Sequence, residues 1–323
     1  MRYFITGGAG FIGSNYVEHL FENVKDLSFV TIFDKFTYAA NARNYEKYVP
    51  DTRLKVIEGD ICDLSLLSES MKNHDFVIHF AAESHVDRSI FDASAFIQTN
   101  VLGTYNVLEA SRKNGIKTFI HVSTDEVYGS LQEGSADENF PLLPNSPYAA
   151  SKAASDLLVR SYFVTHGLDV RTTRCCNNYG KYQFPEKVIP VFIHKIVSGQ
   201  KLPIYGDGSH VREWIHVNDH SFGIQFVLEN GSPGEIYNIG SGFHLSNNEL
   251  AEQIIGILGR ENQIKEYVQD RKGHDLRYAI DSKKIETLGF VARTNFIDGL
   301  KDTIDWYTAN PTWWSKSNLE FKP

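Results

Sequence analysis

Tyr3-Phe4-Ile5-Thr6-Gly7-Gly8-Ala9-Gly10-Phe11-Ile12-Gly13-Ser14 runs from a β-rich stretch through a cluster of glycines into a helical pattern that reaches about Asn23. Gly7, Gly10 and Gly13 form a G-x-x-G-x-x-G variant of the dinucleotide fingerprint, set between strand and helix as that fingerprint requires. Glycines there permit a tight turn and let the backbone approach a pyrophosphate at the start of a helix. The next strand, Phe29 to Phe33, leads into Asp34, about 20 residues beyond the last glycine, where a carboxylate accepts ribose hydroxyls. The same charge repels a 2′-phosphate, which favours NAD over NADP; the adjacent Lys35 is a small counterweight.

Outward from this turn, strands are predicted at Tyr3–Thr6, Phe29–Phe33, Leu54–Ile57, Phe76–Phe80, Thr118–Val122 and Val170–Thr173. Helical patterns fill the gaps, notably Phe96–Asn114 and Pro147–His166. Alternation of this kind predicts an α/β fold, a Rossmann-type doubly wound parallel sheet covered on both faces. Beyond about residue 180, prolines (Pro185, Pro190, Pro203, Pro233) break the chain into shorter elements. The expected division is a dinucleotide-binding domain over 1–180, with return segments within 211–240, and a smaller ligand-binding part over 181–323. Trp306, Trp313 and Trp314 near the end read as packing residues.

The chain of 323 residues is 42% apolar and 13% aromatic, enough to bury a full core and too apolar for a disordered chain. With 32 basic and 40 acidic residues it carries a net charge of -8, which argues against a nucleic-acid partner. A small anionic ligand needs only a local basic pocket. Cys62, Cys175 and Cys176 form no disulfide framework and have no metal-ligand spacing; they read as buried apolar residues in a reducing compartment. His216 and His220 have an i,i+4 spacing but lack a third ligand on their face, so packing or hydrogen bonding is expected rather than a metal. No signal peptide or membrane span is read, so a cytoplasmic location is expected.

Tyr148 and Lys152, four apart at the start of a predicted helix, share one face. An ammonium beside the phenol, with a cationic nicotinamide nearby, is expected to lower its pKa towards neutrality and make a tyrosinate base for an alcohol proton. The fifth strand leads into Ser123-Thr124-Asp125-Glu126. On residue types alone the adjacent carboxylates fit an acidic turn capping the next element. Beside a dinucleotide they also fit an acid and a base for deprotonating carbon and expelling a hydroxyl, with proximity driving their pKa values apart. Asp60, after the third strand, fits either an adenine contact or a helix cap.

At TGGAGFIGS (Thr6–Ser14), FDKFTYAAN (Phe33–Asn41), AAESHVDRSI (Ala81–Ile90), STDEVYGS (Ser123–Ser130), NSPYAASKA (Asn145–Ala153), CNNYGKYQFPEKVIP (Cys176–Pro190) and DRKGHDLRYAID (Asp270–Asp281), the sequence resembles the dTDP-glucose 4,6-dehydratase family. That family belongs to the extended short-chain dehydrogenase/reductases. The glycine and Tyr/Lys motifs mark only the superfamily; the Thr-Asp-Glu triplet with NNYG…FPEK and the GHD-x-RY segment is far more specific.

The resemblance implies that dTDP-glucose is oxidised at C4, loses water across C5–C6 and is reduced at C6, with NAD regenerated. It implies Tyr148 as base at the C4 hydroxyl, tuned by Lys152 and assisted by Thr124. Glu126 would be the base at C5 and Asp125 the acid at the C6 hydroxyl. Phe11, Ile12, Lys35, Thr37, Asp60, Ile61, Ala81, Ala82, Ser84, Thr99 and Asn178 join the glycines and Asp34 around the cofactor. Ser84, Thr124, Asn177, Lys187, Val188, Pro203, Ile204, Tyr205, Arg212, Asn238, Arg271 and His274 fall where the substrate binds. A 4,6-dehydratase, 4-epimerase or decarboxylase acting on a UDP-sugar is the alternative, and epimerisation needs no C5/C6 acid and base. Lys181, Ala40 and Lys272 depart from common family residues, beside the motifs rather than at acid/base positions. Apolar residues on more than one face of 96–114 and 147–166 fit burial within one chain or, as the resemblance implies, a four-helix homodimer interface.

Overall fold

The computed structural model describes residues 1–314. The chain order gives strands β1 (Arg2–Thr6), β2 (Phe29–Asp34), β3 (Leu54–Glu58), β4 (Phe76–His79), β5 (Thr118–Thr124), β6 (Val170–Cys175), β7 (Asn177–Tyr179), β8 (Leu202–Tyr205), β9 (Val211–His216), β10 (Ile236–Ile239), β11 (His244–Ser246) and β12 (Lys265–Val268). Seven of these form one parallel sheet in the order β10-β6-β5-β4-β1-β2-β3. The order reverses between β1 and β4, the switch point outside which ligands bind in open α/β sheets. β5 and β6 are buried along their whole length, which explains why they lack polar alternation. Both extend beyond the predicted ends, carrying Ser123, Thr124 and Cys175 to the rim.

Residues beyond 180 return to complete this layer. Helix Val217–Asn230 packs beside helix Phe11–Asn23, where the Tyr16 hydroxyl donates to Gln225 Oε1 at 2.7 Å. β10 pairs with β6, and Ile224, Val227 and Ile239 share a core with Ile5, Val17 and Ile32. A separate core joins Ile189, Phe192 and Ile204 to Leu250, Ile254, Leu300 and Tyr307. It lies beside two small sheets, β11-β9-β7 and β12-β8. Trp314 is buried in that second core, with Trp306 and Trp313 packed at its edge, as expected of packing residues.

One predicted element is corrected. The region 96–114 is not one α-helix but a short helical turn, Ser94–Phe96, a π-helical stretch, Ile97–Gly103, and an α-helix, Thr104–Lys113. The wider turn accommodates Asn100, a buried side chain that takes the Glu83 N–H at 2.8 Å and donates to Ser151 Oγ at 2.8 Å. Apolar periodicity carries no sign of such a hydrogen bond. Helix Pro147–His166 matches its prediction at both ends, capped by Ser146 and closed by Gly167 in the left-handed region (φ 67°).

Candidate active site

The glycine turn leaves β1 at the switch point. Gly7 has φ +71°, and a Cβ on it would stand 2.6 Å from Ala81 N, so the close approach of β1 and β4 requires glycine. Gly13 is equally confined: a Cβ would stand 2.3 Å from Gly7 O. Gly10 differs, because a Cβ would approach only Gly7 O, at 3.4 Å. Packing does not demand a bare backbone there. Gly10 caps helix Phe11–Asn23, whose first turn has no acidic side chain and no side-chain cap. Its first N–H groups and the positive end of the helix dipole therefore face a cleft that suits a pyrophosphate.

Asp34 accepts from Ala9 N at 3.0 Å through Oδ2 and from Phe36 N at 2.9 Å through Oδ1. Each carboxylate oxygen retains capacity for a ribose hydroxyl. Burial pushes the Asp34 carboxyl up, and those backbone donors oppose it. Lys35, an exposed side chain, pairs with Asp60 at 2.7 Å, so its charge is partly offset before any ribose phosphate could use it. Asp60 also accepts from Cys62 N at 2.9 Å, and Asp63 is the residue that caps the next helix. Phe11, Ile12, Thr37, Ile61, Ala81, Ala82, Ser84, Thr99 and Asn178 line the same cleft as the glycines, Tyr148 and Lys152. The Asn178 amide is held by Cys176 O at 3.0 Å and His220 Nδ1 at 2.8 Å. His216 caps its own helix, so the His216/His220 pair is engaged in hydrogen bonding.

The end of β5 and the start of helix Pro147–His166 meet in this cleft. Thr124 Oγ1 lies 3.2 Å from Asp125 Oδ1 and 3.3 Å from Glu126 N, and it faces the Tyr148 phenol, where it acts to lower the pKa. Asp125 is 3% exposed, and its Oδ2 has no hydrogen-bond partner in the described fold. Burial, then the charges of Glu126 and Glu213, hold the Asp125 carboxyl well above the usual range. Burial also raises Glu126, but Arg271, Lys187 and Arg212 pull against it. The two carboxylates are thus unequal: Asp125 keeps its proton and Glu126 ionises more readily.

The expected lowering of the tyrosine pKa is not produced by the chain itself. Burial and the Glu126, Cys175 and Asp125 groups hold Tyr148 well above its ordinary value. Lys152 donates to Val122 O at 2.8 Å, and burial lowers its own pKa to about 8. Sequence spacing placed the ammonium and phenol on one face but could not weigh the surrounding carboxylates.

A second cavity, of about 730 Å³, adjoins the cleft and shares Glu126, Asn177, Phe184, Glu186 and Lys187 with it. Val188, Pro203, Ile204, Tyr205, Arg212, Arg271 and His274 line it. Arg212 is buried, and its donors go to backbone carbonyls: Val211 O at 2.8 Å and Asp275 O at 2.8 Å. Lys187 likewise donates to Ser84 O at 2.9 Å. Cations held by neutral carbonyls keep their charge available to an anionic ligand. Arg271 pairs with Asp87 at 3.2 Å.

Asn238 is the exception among the expected substrate residues. It is fully buried and lines neither cavity; it accepts from Tyr128 OH at 2.7 Å and donates to Ala136 O at 2.9 Å. Its place within β10, paired beside Arg174 at the edge of the seven-stranded sheet, turns its side chain to Tyr128, Ala136 and Asp281. Two site residues were not singled out from sequence. Glu186 borders both cavities and meets Arg88 at 3.3 Å and the Tyr38 hydroxyl at 3.4 Å. Asn100 holds the loop after β4. Glu186 sits inside the FPEK motif, which was its available signal.

His210, Asp270 and His274 bring potential ligand atoms within 4.8 Å of one another. The two imidazoles are stacked, 3.8 Å apart and 14° from parallel, so their in-plane lone pairs do not converge on one point. As it stands, the cluster is a clasp on the loop that presents Arg271: Asp270 reaches His274 Nδ1 at 2.6 Å and His210 Nε2 at 3.2 Å.

A glycine turn at a sheet switch point, a Tyr-x-x-x-Lys pair beside it and a basic pocket adjoining both define a short-chain dehydrogenase/reductase of the extended, nucleotide-sugar type. A family profile described as GDP-mannose 4,6 dehydratase matches residues 4–303. The chain is 49% identical over 318 residues to the dTDP-glucose 4,6-dehydratase of Streptomyces niveus, covering 97% of this chain and 95% of the relative. It is 44% identical to the Escherichia coli dTDP-glucose 4,6-dehydratase, covering 98% and 96%. The dTDP-glucose 4,6-dehydratase of Streptomyces venezuelae, solved with NAD and dTDP bound, superposes with a TM-score of 0.96 at 51% identity, covering 97% of this chain and 99% of that one. A Thermotoga maritima UDP-glucose 4-epimerase shares the fold at 28% identity and a TM-score of 0.89, covering 96% and 100%. The chain belongs to the dTDP-glucose 4,6-dehydratase family.

Proposed function

We propose that this chain converts dTDP-D-glucose to dTDP-4-keto-6-deoxy-D-glucose and water, as an NAD-dependent hydro-lyase. The observation that carries this reading is the unequal carboxylate pair, Asp125 and Glu126, at the end of β5 beside the cofactor cleft. A simple dehydrogenase or an epimerase has no use for it. NAD fits the cleft: Gly10 leaves a bare backbone that packing does not require, and Asp34 awaits a ribose. When bound, NAD supplies reversible two-electron oxidation of the sugar and a positive ring that favours a tyrosinate.

The remaining steps belong to the chain. Tyr148 accepts the C4 hydroxyl proton, and Thr124 donates to the same oxygen. The resulting ketone acidifies C5–H, which Glu126 removes. Asp125 gives its proton to the C6 hydroxyl, which leaves as water. Glu126 then returns its proton to C5. Tyr148 ends the turnover one proton richer and Asp125 one poorer. Thr124, which donates to Asp125 and faces Tyr148, lies between the two groups whose proton balance must be restored. Lys187, Arg212 and Arg271 receive the diphosphate, with Asn177, His274 and Tyr205 around it.

Residues 1–180 with 211–240 form the cofactor-binding unit in this reading, and most of 181–323 the nucleotide-sugar unit; separate cores support two units, although Ile280, Ile285 and Phe290 join the first core and Tyr179 and Trp214 the second. Residues 315–323 lie outside the described residues. Ile97, Leu102, Leu157 and Val164 leave apolar side chains outward on the segments expected to pair two copies, which supports a homodimer. Among the described residues no helix is long and apolar enough to cross a membrane. A cytoplasmic enzyme of deoxysugar biosynthesis agrees with these features. Mass spectrometry of products from dTDP-glucose and UDP-glucose, assayed side by side, tests the reading. Loss of one water from the dTDP-sugar is expected; turnover of the UDP-sugar alone, or an unchanged product mass, overturns it.

A further inference from the structure

Beneath the catalytic helix lies a buried charge cluster that the reaction steps above do not use. Lys152 and Asp156 are four apart on helix Pro147–His166 and are 5% and 4% exposed. Asp156 Oδ2 accepts from Arg174 Nε at 2.9 Å, and Oδ1 faces His121 Nε2 at 3.2 Å without a well-directed hydrogen bond. The Lys152 ammonium donates only to the carbonyl of Val122 among the described contacts, and no carboxylate bonds it directly.

We infer that Asp156 is a positioning residue: its carboxylate is the buried counter-charge that keeps Lys152 an ammonium beneath Tyr148. The titratable and charged groups around the pair are Tyr148 on the same helix, His79 from β4, His121 from β5, and Arg174 and Cys175 from β6; Asp125 and Glu126 lie beyond Tyr148, and the Tyr128 hydroxyl accepts from Arg174 at 3.0 Å. Burial holds His121 down at about 4 and His79 well below its ordinary value, so both are neutral. Burial pushes the Cys175 thiol up to about 12, and Tyr148 rests as a phenol. At neutral pH, apart from the charges that the cofactor induces at Tyr148, the cluster therefore contains two cations, Lys152 and Arg174, and one anion, Asp156. Burial already brings Lys152 to about 8, and the Asp156 charge is the largest effect opposing that fall. Removing the carboxylate that holds Arg174 leaves both cations without that counter-charge, and the lysine is the one that can shed its charge.

The sign follows. Lys152 is charged below its pKa, so a lower pKa moves the alkaline limb of the rate profile to lower pH. The test is kcat for dTDP-glucose against pH, from neutral to alkaline. Asp156→Asn is expected to move that limb down by about one unit or more, and Asp156→Glu to keep it. Arg174→Gln retains an amide donor for Asp156 but removes the competing cation, so its limb is expected to move up. A merely structural Asp156 would lower kcat equally at every pH with the limb unmoved, and that result overturns the inference. If Asp156→Asn does not fold, Arg174→Gln decides: an unmoved or lowered limb is equally fatal. The inference rests on Tyr148 and Lys152 being the working pair. Full activity in Tyr148→Phe would sink that reading, whereas an unmoved limb with normal product sinks only the role of Asp156.

Discussion

Glu126→Gln is the substitution that separates the two halves of the proposed reaction. The side chain faces Arg271, Lys187 and Arg212, and it borders both the cofactor cleft and the sugar cavity. Glutamine preserves its shape but cannot take the C5 proton. Positioned general bases contribute about 10²–10⁴-fold, which is roughly 3–5 kcal/mol of barrier. Water loss should slow by that factor. Oxidation at C4 uses Tyr148 and should continue, so reduced nicotinamide should accumulate on the enzyme. Removing one negative charge beside those three cations should also tighten the diphosphate, so KM should not rise. Asp125 loses one of the charges that raise its pKa, but burial, the larger cause, remains, so the acid should stay protonated. Rapid mixing with dTDP-glucose would follow the near-ultraviolet absorbance of the reduced cofactor while mass spectrometry follows product. Normal product release with no reduced-cofactor signal would refute the assignment of Glu126.

Three further expectations follow from the same geometry. Tyr148→Phe should lose at least about 10²-fold in the first oxidation, with no reduced cofactor appearing on mixing; a rate within about threefold of the parent would contradict the base role. Gly7→Ala and Gly10→Ala should fail differently. Alanine at Gly7 meets Ala81 N at 2.6 Å with a positive φ and should cost about 1–3 kcal/mol in thermal unfolding. Alanine at Gly10 fits the fold to within about 1 kcal/mol but should release the dinucleotide, read by extraction of the purified protein. Deuterium placed at C4 of the substrate should reappear at C6 of the same molecule, and reaction in D₂O should label C5. Label that stays at C4 with no 6-deoxy product would exclude the dehydratase reading.

The turn Gly7–Gly13, Asp34 and the Tyr148/Lys152 pair were legible because each depends on short-range facts: a backbone that tolerates no side chain, a strand end, one face of a helix. The alternation of strands and helices likewise announced the doubly wound sheet, since a parallel strand needs a crossover before its neighbour. Family motifs extended this to the Thr124-Asp125-Glu126 turn and the basic pocket. What long-range packing alone decided lies where residues far apart in the chain share one buried space. The return of 217–239 to finish the first sheet spends Asn238 on Tyr128 and Ala136 rather than on substrate. Helical periodicity over 96–114 could not register the π turn, because its cause is the partner of Asn100, the loop after β4. The inequality of Asp125 and Glu126 has the same origin. Adjacent carboxylates read alike in sequence, and only the folded chain brings Lys187, Arg212 and Arg271 to face Glu126 and buries Asp125 near Glu213. The family resemblance names Glu126 as base and Asp125 as acid without a physical cause; charge acts through space, so only the tertiary structure supplies one.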